Sequence, residues 1–333
     1  MTIPVLPPCP CCGSSSNEEP QSAAGFQILR CTKCGLGRTW PAVPPAEIGR
    51  WYTEAYYGRE NVRFNRVFEA LTRIFRRRRA RVLRSRVPLG PVLDVGCGRG
   101  IMLDHLRSLG YEGHGVELNE AAAWHARHRL GLEVRTGRLK NSPEDADKFQ
   151  AIVFWHTLEH FPDPAQALGQ ACRMLRPGGL IALALPNFDS LQARLFGRHW
   201  FHLDVPRHYC HFSPRSLEAL LSRHSLRVVR SDHFCLEQNP YGWLQSAYNA
   251  LGFPENLLYD LLKASSARSG TARKHPWACI LIPLLLPVLL PLSLLLTVLE
   301  AALRRGGTME IYAVKDQPGA TSSVSAGGPA AFL

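Results

Sequence analysis

An apolar run that ends in an acid and then in three alternating glycines constrains this chain more than any other stretch. Val92-Leu93-Asp94-Val95 reads as a strand, and Gly96, Gly98 and Gly100 as the turn after it. Ile101-Met102-Leu103-Asp104-His105-Leu106 then opens a helix. Glycines permit positive φ and let a ligand come close to the backbone. Gly115-Val116-Glu117 reads as a second strand ending in a carboxylate, where a doubly wound sheet holds the ribose hydroxyls of a nucleoside. The spacing G-x-G-x-G departs from the G-x-G-x-x-G of dinucleotide binders, which argues against a nicotinamide enzyme. A glycine turn alone is also compatible with an ordinary loop. Strand, turn, helix and second-strand acid together predict an α/β fold.

Further segments extend the pattern. Ala151-Ile152-Val153-Phe154-Trp155 reads as a fourth strand, followed by His156-Thr157-Leu158-Glu159-His160-Phe161-Pro162-Asp163-Pro164. Leu175-Arg176-Pro177-Gly178-Gly179 reads as a turn into a fifth strand, Leu180 to Leu185. In this order the segments resemble the class I S-adenosylmethionine (SAM) methyltransferases over residues 80 to 237, with a last strand near 309 to 315. The resemblance implies a doubly wound, Rossmann-like α/β sheet of seven strands, the last antiparallel, and SAM as methyl donor. It implies donor contacts at Asp94, Gly96, Cys97, Gly98, Gly100, Glu117, Leu118, Leu139 and His156. The glycine turn would meet the methionine part of SAM, and Glu117 its ribose. Many relatives carry an acid after the third strand that reads the adenine amine. Here that strand, Leu132 to Thr136, runs into Gly137-Arg138-Leu139-Lys140, so backbone groups near Arg138 and Leu139 would take that role.

At 333 residues there is room for about two domains. Met1-Thr2-Ile3-Pro4 has neither a basic start nor an apolar core, so no signal peptide is expected. Five of the ten cysteines lie within residues 9 to 34 and the rest are scattered, which suits a metal cluster in a reducing compartment. Cys9-Pro10-Cys11-Cys12-Gly13 and Cys31-Thr32-Lys33-Cys34-Gly35 form two C-x-x-C knuckles separated by eighteen residues. Four thiolates satisfy tetrahedral zinc, so Cys9, Cys12, Cys31 and Cys34 are predicted to hold a structural zinc in a ribbon over residues 1–45, with Cys11 to spare. Unliganded or disulfide-paired cysteines are the alternative. Prolines 41, 44 and 45 mark a linker, and 46–88 would hold it and a basic helix. Trp51 to Gly58 resembles the aromatic segment that joins such ribbons to the SAM domain in related methyltransferases.

The formal charge is +12, and eight arginines fall between Arg73 and Arg86 without an acid among them. Leu71, Ile74, Phe75, Val82 and Leu83 give this segment a helical period. It reads as a solvated helix, as a basic amphipathic helix on anionic lipid, or, third, as a nucleic-acid patch. The last reading lacks an aromatic platform or groove-reading element, so no nucleic-acid partner is expected.

Methyl transfer is an in-line displacement, and a base is needed only where the acceptor must lose a proton. His156, Glu159 and His160 lie just past the fourth strand, and a helical turn would present them on nearly one face. The segment resembles the Glu-x-x-Glu-His stretch of the ubiquinone-pathway O-methyltransferases, which can hold a divalent metal. Here His156 replaces the first acid, which weakens the case for magnesium and leaves room for a softer divalent metal. Glu159 and His160 bracing the loop is the alternative. A second polar cluster, Trp200 to Pro214, contains His202, Arg207, His208 and His211, which could line an acceptor pocket, His208 among the catalytic candidates. Ser213 and Pro214 would start a helix, Arg215 to His224.

Ala278 to Leu299 is a stretch of 22 residues without a charge. As a helix it would be about 33 Å long, enough to span a bilayer. Arg268, Arg273 and Lys274 at one end, and Arg304 and Arg305 at the other, would hold both ends on the cytoplasmic side. A single crossing would also part Thr308 to Lys315 from the sheet that the resemblance implies. Prolines 283, 287 and 291 suggest a bent or re-entrant path. The expectation is therefore a monotopic helical insertion, 238–307, dipping into the inner leaflet, between a SAM domain at 89–237 and the last strand at 308–316. A buried helical pair, or a dimer contact, is the alternative, and the chain does not specify an oligomeric state. Trp243, Tyr248, Leu257, Leu258, Tyr259, Leu261 and Leu262 could form an amphipathic shoulder. The tail 317–333 reads as disordered.

The chain thus reads as a cytoplasmic, membrane-peripheral methyltransferase acting on a lipid-like or lipid-linked acceptor, a quinone-type hydroxyl or a polyprenyl-linked sugar. The reading from another class is a non-catalytic zinc-ribbon module that binds nucleic acid.

Overall fold

A computed structural model describes residues 7–51, 66–140, 143–263 and 273–316. Tyr52 to Gly58, Arg268 and the tail from Gln317 lie outside the described residues. Seven strands form the main sheet: β4 (Pro91–Val95), β5 (Glu112–Glu117), β6 (Glu133–Thr136), β7 (Phe149–Trp155), β8 (Leu175–Pro186), β10 (Leu226–Asp232) and β11 (Thr308–Lys315). Their order is β10-β11-β8-β7-β4-β5-β6. β4 pairs in parallel with both β5 and β7, while β11 runs antiparallel between β8 and β10. The strand order therefore reverses beside β4, the place where open α/β sheets form a ligand crevice.

The central strands are buried along almost their whole length, as parallel strands covered on both faces must be. β8 begins at Leu175 rather than after the Arg-Pro-Gly-Gly turn. Phe149 pairs with Leu175 and Ala151 with Leu180, so the turn is absorbed as a register shift within the strand. Local chemistry sets the helix starts. Asn119 accepts from Ala122 N at the start of Glu120–Leu130, and Asp163 accepts from Gln166 N at that of Pro164–Met174. Ser213 and Ser216 form a capping box on Pro214–Ser222.

A second sheet joins β1 (Gln21–Ala23), β2 (Phe26–Arg30) and β3 (Gly37–Trp40) to β9 (Cys210–His211). The cysteine unit therefore borrows a strand from the polar cluster beside the crevice. Arg30 pairs with Asp189 at 2.5 Å, and Tyr209 OH donates to Val43 O at 2.7 Å, which fix it to the main body.

Four helices on one side concern the crevice: α1 (Arg66–Arg84), α7 (Asn239–Ala250), α8 (Leu257–Leu262) and α9 (Pro276–Ala302), counting Ile101–Ser108, Glu120–Leu130, Pro164–Met174, Leu191–Phe196 and Pro214–Ser222 as α2 to α6. α9 corrects the re-entrant expectation. It is one continuous helix of 27 residues, with Pro283, Pro287 and Pro291 inside it. The three prolines are spaced by four and exposed, so their rings lie on the outer face, away from the packed one. The inner face, Ala278 and Ile282, packs on Leu244, Tyr248, Phe253 and Leu257. Tyr248 OH also donates to Ile282 O at 2.7 Å. Trp243, Tyr248 and Leu257 are thus core residues beneath α9 rather than an exposed shoulder. Ile280, Leu284, Val288 and Leu295 stand outward, each about two-thirds exposed (65–69%).

Candidate active site

A single crevice of about 1140 Å³ runs from the carboxyl ends of β4, β5 and β7 to the inner edge of α9. At its first end, Gly96, Gly98 and Gly100 take φ of +78°, +57° and +77°. A Cβ at Gly96 would lie 2.7 Å from the Thr157 side chain, and one at Gly100 would lie 2.6 Å from Leu132. At Gly98 the same space is open, so the turn presents bare backbone to the crevice. Glu117 accepts from Gly98 N and Asn119 N, each at 2.8 Å, so the acid at the end of β5 is locked to the turn after β4. Burial raises its pKa, and those backbone donors hold it down. Asp94 is buried and pushed up to about 7 by desolvation, with Arg79 pulling against that. Leu118, Gly137, Arg138 and Leu139 line the same end, so this wall has the glycine cradle, the acid and the apolar lining that a nucleoside sulfonium requires.

The middle of the crevice holds the polar candidates. His156 has φ +52°, outside the short turn Leu158–His160, so the predicted single helical turn does not form. Its Nδ1 lies 3.5 Å from Glu159 Oε1. Desolvation and then Arg79 lower its pKa to about 4, so it is neutral at pH 7. Glu159 is 1% exposed, and burial pushes it up to about 7, against the pull of His160. His160 Nδ1 sits 3.0 Å from Arg207 O, and His208 Nδ1 3.0 Å from His202 O. A carbonyl can only accept, so each ring carries a proton on Nδ1, and burial, with His160 adding to it, holds the His208 pKa well below the usual imidazole range. The two rings meet edge to face at 4.7 Å.

One ligand atom each from Glu159, His160 and His208 lies within 4.8 Å of the others. Two imidazoles and a carboxylate form a donor set suited to a divalent metal softer than magnesium, or to a base beside its orienting acid. His156 stays outside this trio, and His208 comes in from a different segment. Arg207 is engaged with Asp204, its Nε donating at 3.0 Å. His211 faces the cysteine unit, 3.0 Å from Thr39 Oγ1, and burial lowers its pKa to about 4. His202 is buried and lowered to about 3 by desolvation, with His156 adding to the effect.

The far end of the crevice is apolar and aromatic: Leu244 and Tyr241 from α7, Leu258 and Tyr259 from α8, Leu286 and Leu290 from α9. Phe201 packs on Tyr241 at 5.1 Å and on Tyr259 at 5.6 Å. Arg79 lies 4.5 Å over the Trp155 ring and pairs with Glu237, placing a guanidinium at the β7 edge. Tyr241 and Thr39 have no sequence motif that marks them, and Arg79 is marked only as one of the eight arginines of the basic helix. They reach the site only through the packing of distant segments.

Away from the crevice, Cys9, Cys12, Cys31 and Cys34 bring their sulfurs within 4.8 Å of one another. Cys9 Sγ lies 3.5 Å from Cys34 Sγ, and Cys12 Sγ lies 3.6 Å from Cys31 Sγ. Four thiols at one point fit tetrahedral zinc. Cys11 is fully buried beside this group but outside it.

A sheet with one antiparallel strand, a glycine turn tied to a second-strand acid and an adjoining pocket define a class of nucleoside-dependent transferase folds. A family profile described as a methyltransferase domain matches residues 63–231, half of the chain, and the protein belongs to that family. By that membership it carries a methyltransferase domain, and its motif order resembles that of the class I SAM-dependent methyltransferases. It is 34% identical over 102 residues to a ubiquinone biosynthesis O-methyltransferase of Alkalilimnicola ehrlichii, covering 29% of this chain and 41% of that one. It is 31% identical over 124 residues to a ubiquinone biosynthesis O-methyltransferase of Aromatoleum aromaticum, covering 35% and 53%. The chain thus spans about half the length of these curated relatives. A solved SAM-dependent methyltransferase from Archaeoglobus fulgidus has a TM-score of 0.45 at 18% identity, covering 81% of this chain and 100% of that one.

Proposed function

We propose that the protein transfers a methyl group from SAM to a hydroxyl of a lipid-like, quinone-type acceptor at a membrane surface. The observation that carries this reading is the course of the crevice, from the glycine turn past Glu159, His160 and His208 to the leucines of α9. The O-methyltransferase relatives support it. SAM supplies an electrophilic methyl carbon on a sulfonium. Glu117 would hold the ribose hydroxyls, the backbone of Gly96 to Gly100 the methionine end, and Leu139 the adenine face. His160 or His208 would take the acceptor's hydroxyl proton at Nε2, with Glu159 beside them stabilising the imidazolium formed. The same trio could hold a divalent metal that lowers the acceptor's pKa. The apolar end would hold the acceptor's chain and keep water out.

The outward face of α9 supports docking on the inner face of a cytoplasmic membrane. Only 11% of the apolar window of α9, both faces counted, is buried in the protein. Each aliphatic side chain moved from water into lipid is worth about 1.5–3 kcal/mol. Zinc in the four-cysteine site would stabilise the fold rather than take part in the chemistry.

A second reading, methylation of a polyprenyl-linked sugar, is favoured by the seating of the cysteine unit on the acceptor side through Thr39 and His208. Sugar C-methyltransferases carry such a unit as well. Lipids and glycans extracted from cells lacking the protein separate the two. A quinone precursor lighter by one methyl supports the first reading, a glycan lighter by one methyl supports the second, and no lighter species contradicts both.

A further inference from the structure

The loop that carries His208 is clamped between two parts of the molecule. On one side, Tyr209 N donates to Glu159 O at 2.9 Å. On the other side stands β3 of the cysteine unit, paired antiparallel with β9 through Gly37↔His211 and Arg38↔Cys210. Thr39, which is 3% exposed, extends that pairing in two ways. Its backbone N donates to Tyr209 O at 3.1 Å, and its hydroxyl donates to His208 O at 2.6 Å. The single hydroxyl proton is used on His208, so the oxygen accepts from His211 Nε2 at 3.0 Å. Gly37 allows this approach, because a Cβ there would lie 2.8 Å from Phe188 and 3.0 Å from His211 Cβ.

We propose that Thr39 is a positioning residue that sets the His208 imidazole against Glu159 and His160, so that the cysteine unit completes the acceptor side of the crevice. This rests on reading those three residues as the acceptor-side machinery. The physical reason is that a carbonyl held by a rigid strand fixes the backbone from which His208 projects. A shift of about 1 Å in a reacting group costs up to about a hundredfold in rate. Replacing the hydroxyl by a methyl leaves the His208 carbonyl and the His211 N–H buried without partners, and the loop must move to recover them.

The test compares Thr39→Val, which keeps the shape and loses the hydroxyl, with Thr39→Ser, which keeps the hydroxyl. Isotope-labelled histidine gives a ring-nitrogen spectrum of the full chain that needs no acceptor. The His208 signal is assigned by its loss in His208→Gln. Thr39→Val is expected to move the His208 signal and leave that of His114, which is held on β5 by Glu112 and Glu133. Thr39→Ser should restore the wild-type position. With a 4-alkylcatechol as acceptor, kcat should fall about tenfold in Thr39→Val and recover in Thr39→Ser, with SAM affinity unchanged in both. An unmoved His208 signal in Thr39→Val, or Thr39→Ser behaving like Thr39→Val, overturns the proposal. Should Thr39→Val not fold, Thr39→Ala removes the same hydroxyl without the second methyl. A His208 signal that moves there supports the proposal, and one that stays overturns it. Full turnover by His208→Ala would instead sink the acceptor-site reading itself, whatever the Thr39 variants show.

Discussion

The glycine turn and the acid at the donor end of the crevice come from one short stretch, Asp94 to Glu117, while the acceptor end draws on segments scattered from Thr39 to Leu290. At the donor end two adjacent parallel strands bring the glycine turn and Glu117 together with no long-range folding decision beyond the sheet itself. At the acceptor end His160 and His208 approach from separate loops, each ring oriented by a carbonyl of the Pro206-flanking segment. α7, α8 and α9 then close the apolar side. Locally encoded sites tolerate change elsewhere in the chain, whereas a site built from remote pieces responds to changes far from it.

The largest effect that would sharpen this contrast is expected at Glu117. Glu117→Gln keeps the shape but weakens the anionic acceptor for ribose hydroxyls and for two backbone N–H groups. Donor affinity by calorimetry should fall about a hundredfold, since hydrogen bonds to a charged group are worth about 1.5–3 kcal/mol each. Unchanged affinity would remove the acid from the donor site. Next is Glu159→Gln, which should lower kcat by about two to four orders of magnitude while leaving donor affinity within about twofold. If donor affinity fell as far as kcat, the two ends would not be separate units.

Legibility followed the same division. Asp94, the three glycines and Glu117 could be read because their roles depend on sequence neighbours and strand ends. The seven-stranded order followed from the resemblance of those motifs, and the sheet has it. The four cysteines were legible because each knuckle is local and only two had to meet. By contrast, the exclusion of His156 from the Glu159 trio depends on its left-handed backbone and on a turn that starts at Leu158, which helical spacing does not foresee. The prolines of α9 misled for a related reason. Proline rules describe a helix in isolation, and spacing by four on the outer face, with the inner face packed on α7, lets the helix continue. Thr39 gave no signal, and Arg79 gave only that of a basic helix, because what matters is where they land.

Smaller effects test the acceptor side further. Val288→Glu on the outward face of α9 should reduce sedimentation with anionic vesicles about tenfold, with donor affinity and thermal unfolding unchanged, because the residue is 68% exposed. Equal sedimentation of variant and parent would remove α9 from the membrane surface.

The smallest effect concerns Glu300, the buried acid near the end of α9. It accepts from Gln192 Nε2 at 3.0 Å and from Gly307 N at 3.1 Å, and burial raises its pKa to about 7. In the unfolded chain it ionises near pH 4.3. The folded form therefore binds more protons at this group between those values, so its contribution to stability is greatest below about pH 4 and falls as pH rises through 7. Melting curves of Glu300→Gln should lose part of that slope, by a few degrees across the window. An identical pH slope in variant and parent would remove Glu300 from the acids that set it.

The central claim is that the turn after β4 and the acid ending β5 cradle the methyl donor. A crystal structure with S-adenosylhomocysteine, the demethylated donor, tests it most directly. The account predicts the ribose hydroxyls on the Glu117 carboxylate and the homocysteine end along Gly96 to Gly100. A ligand bound elsewhere, with that cradle empty, would contradict it.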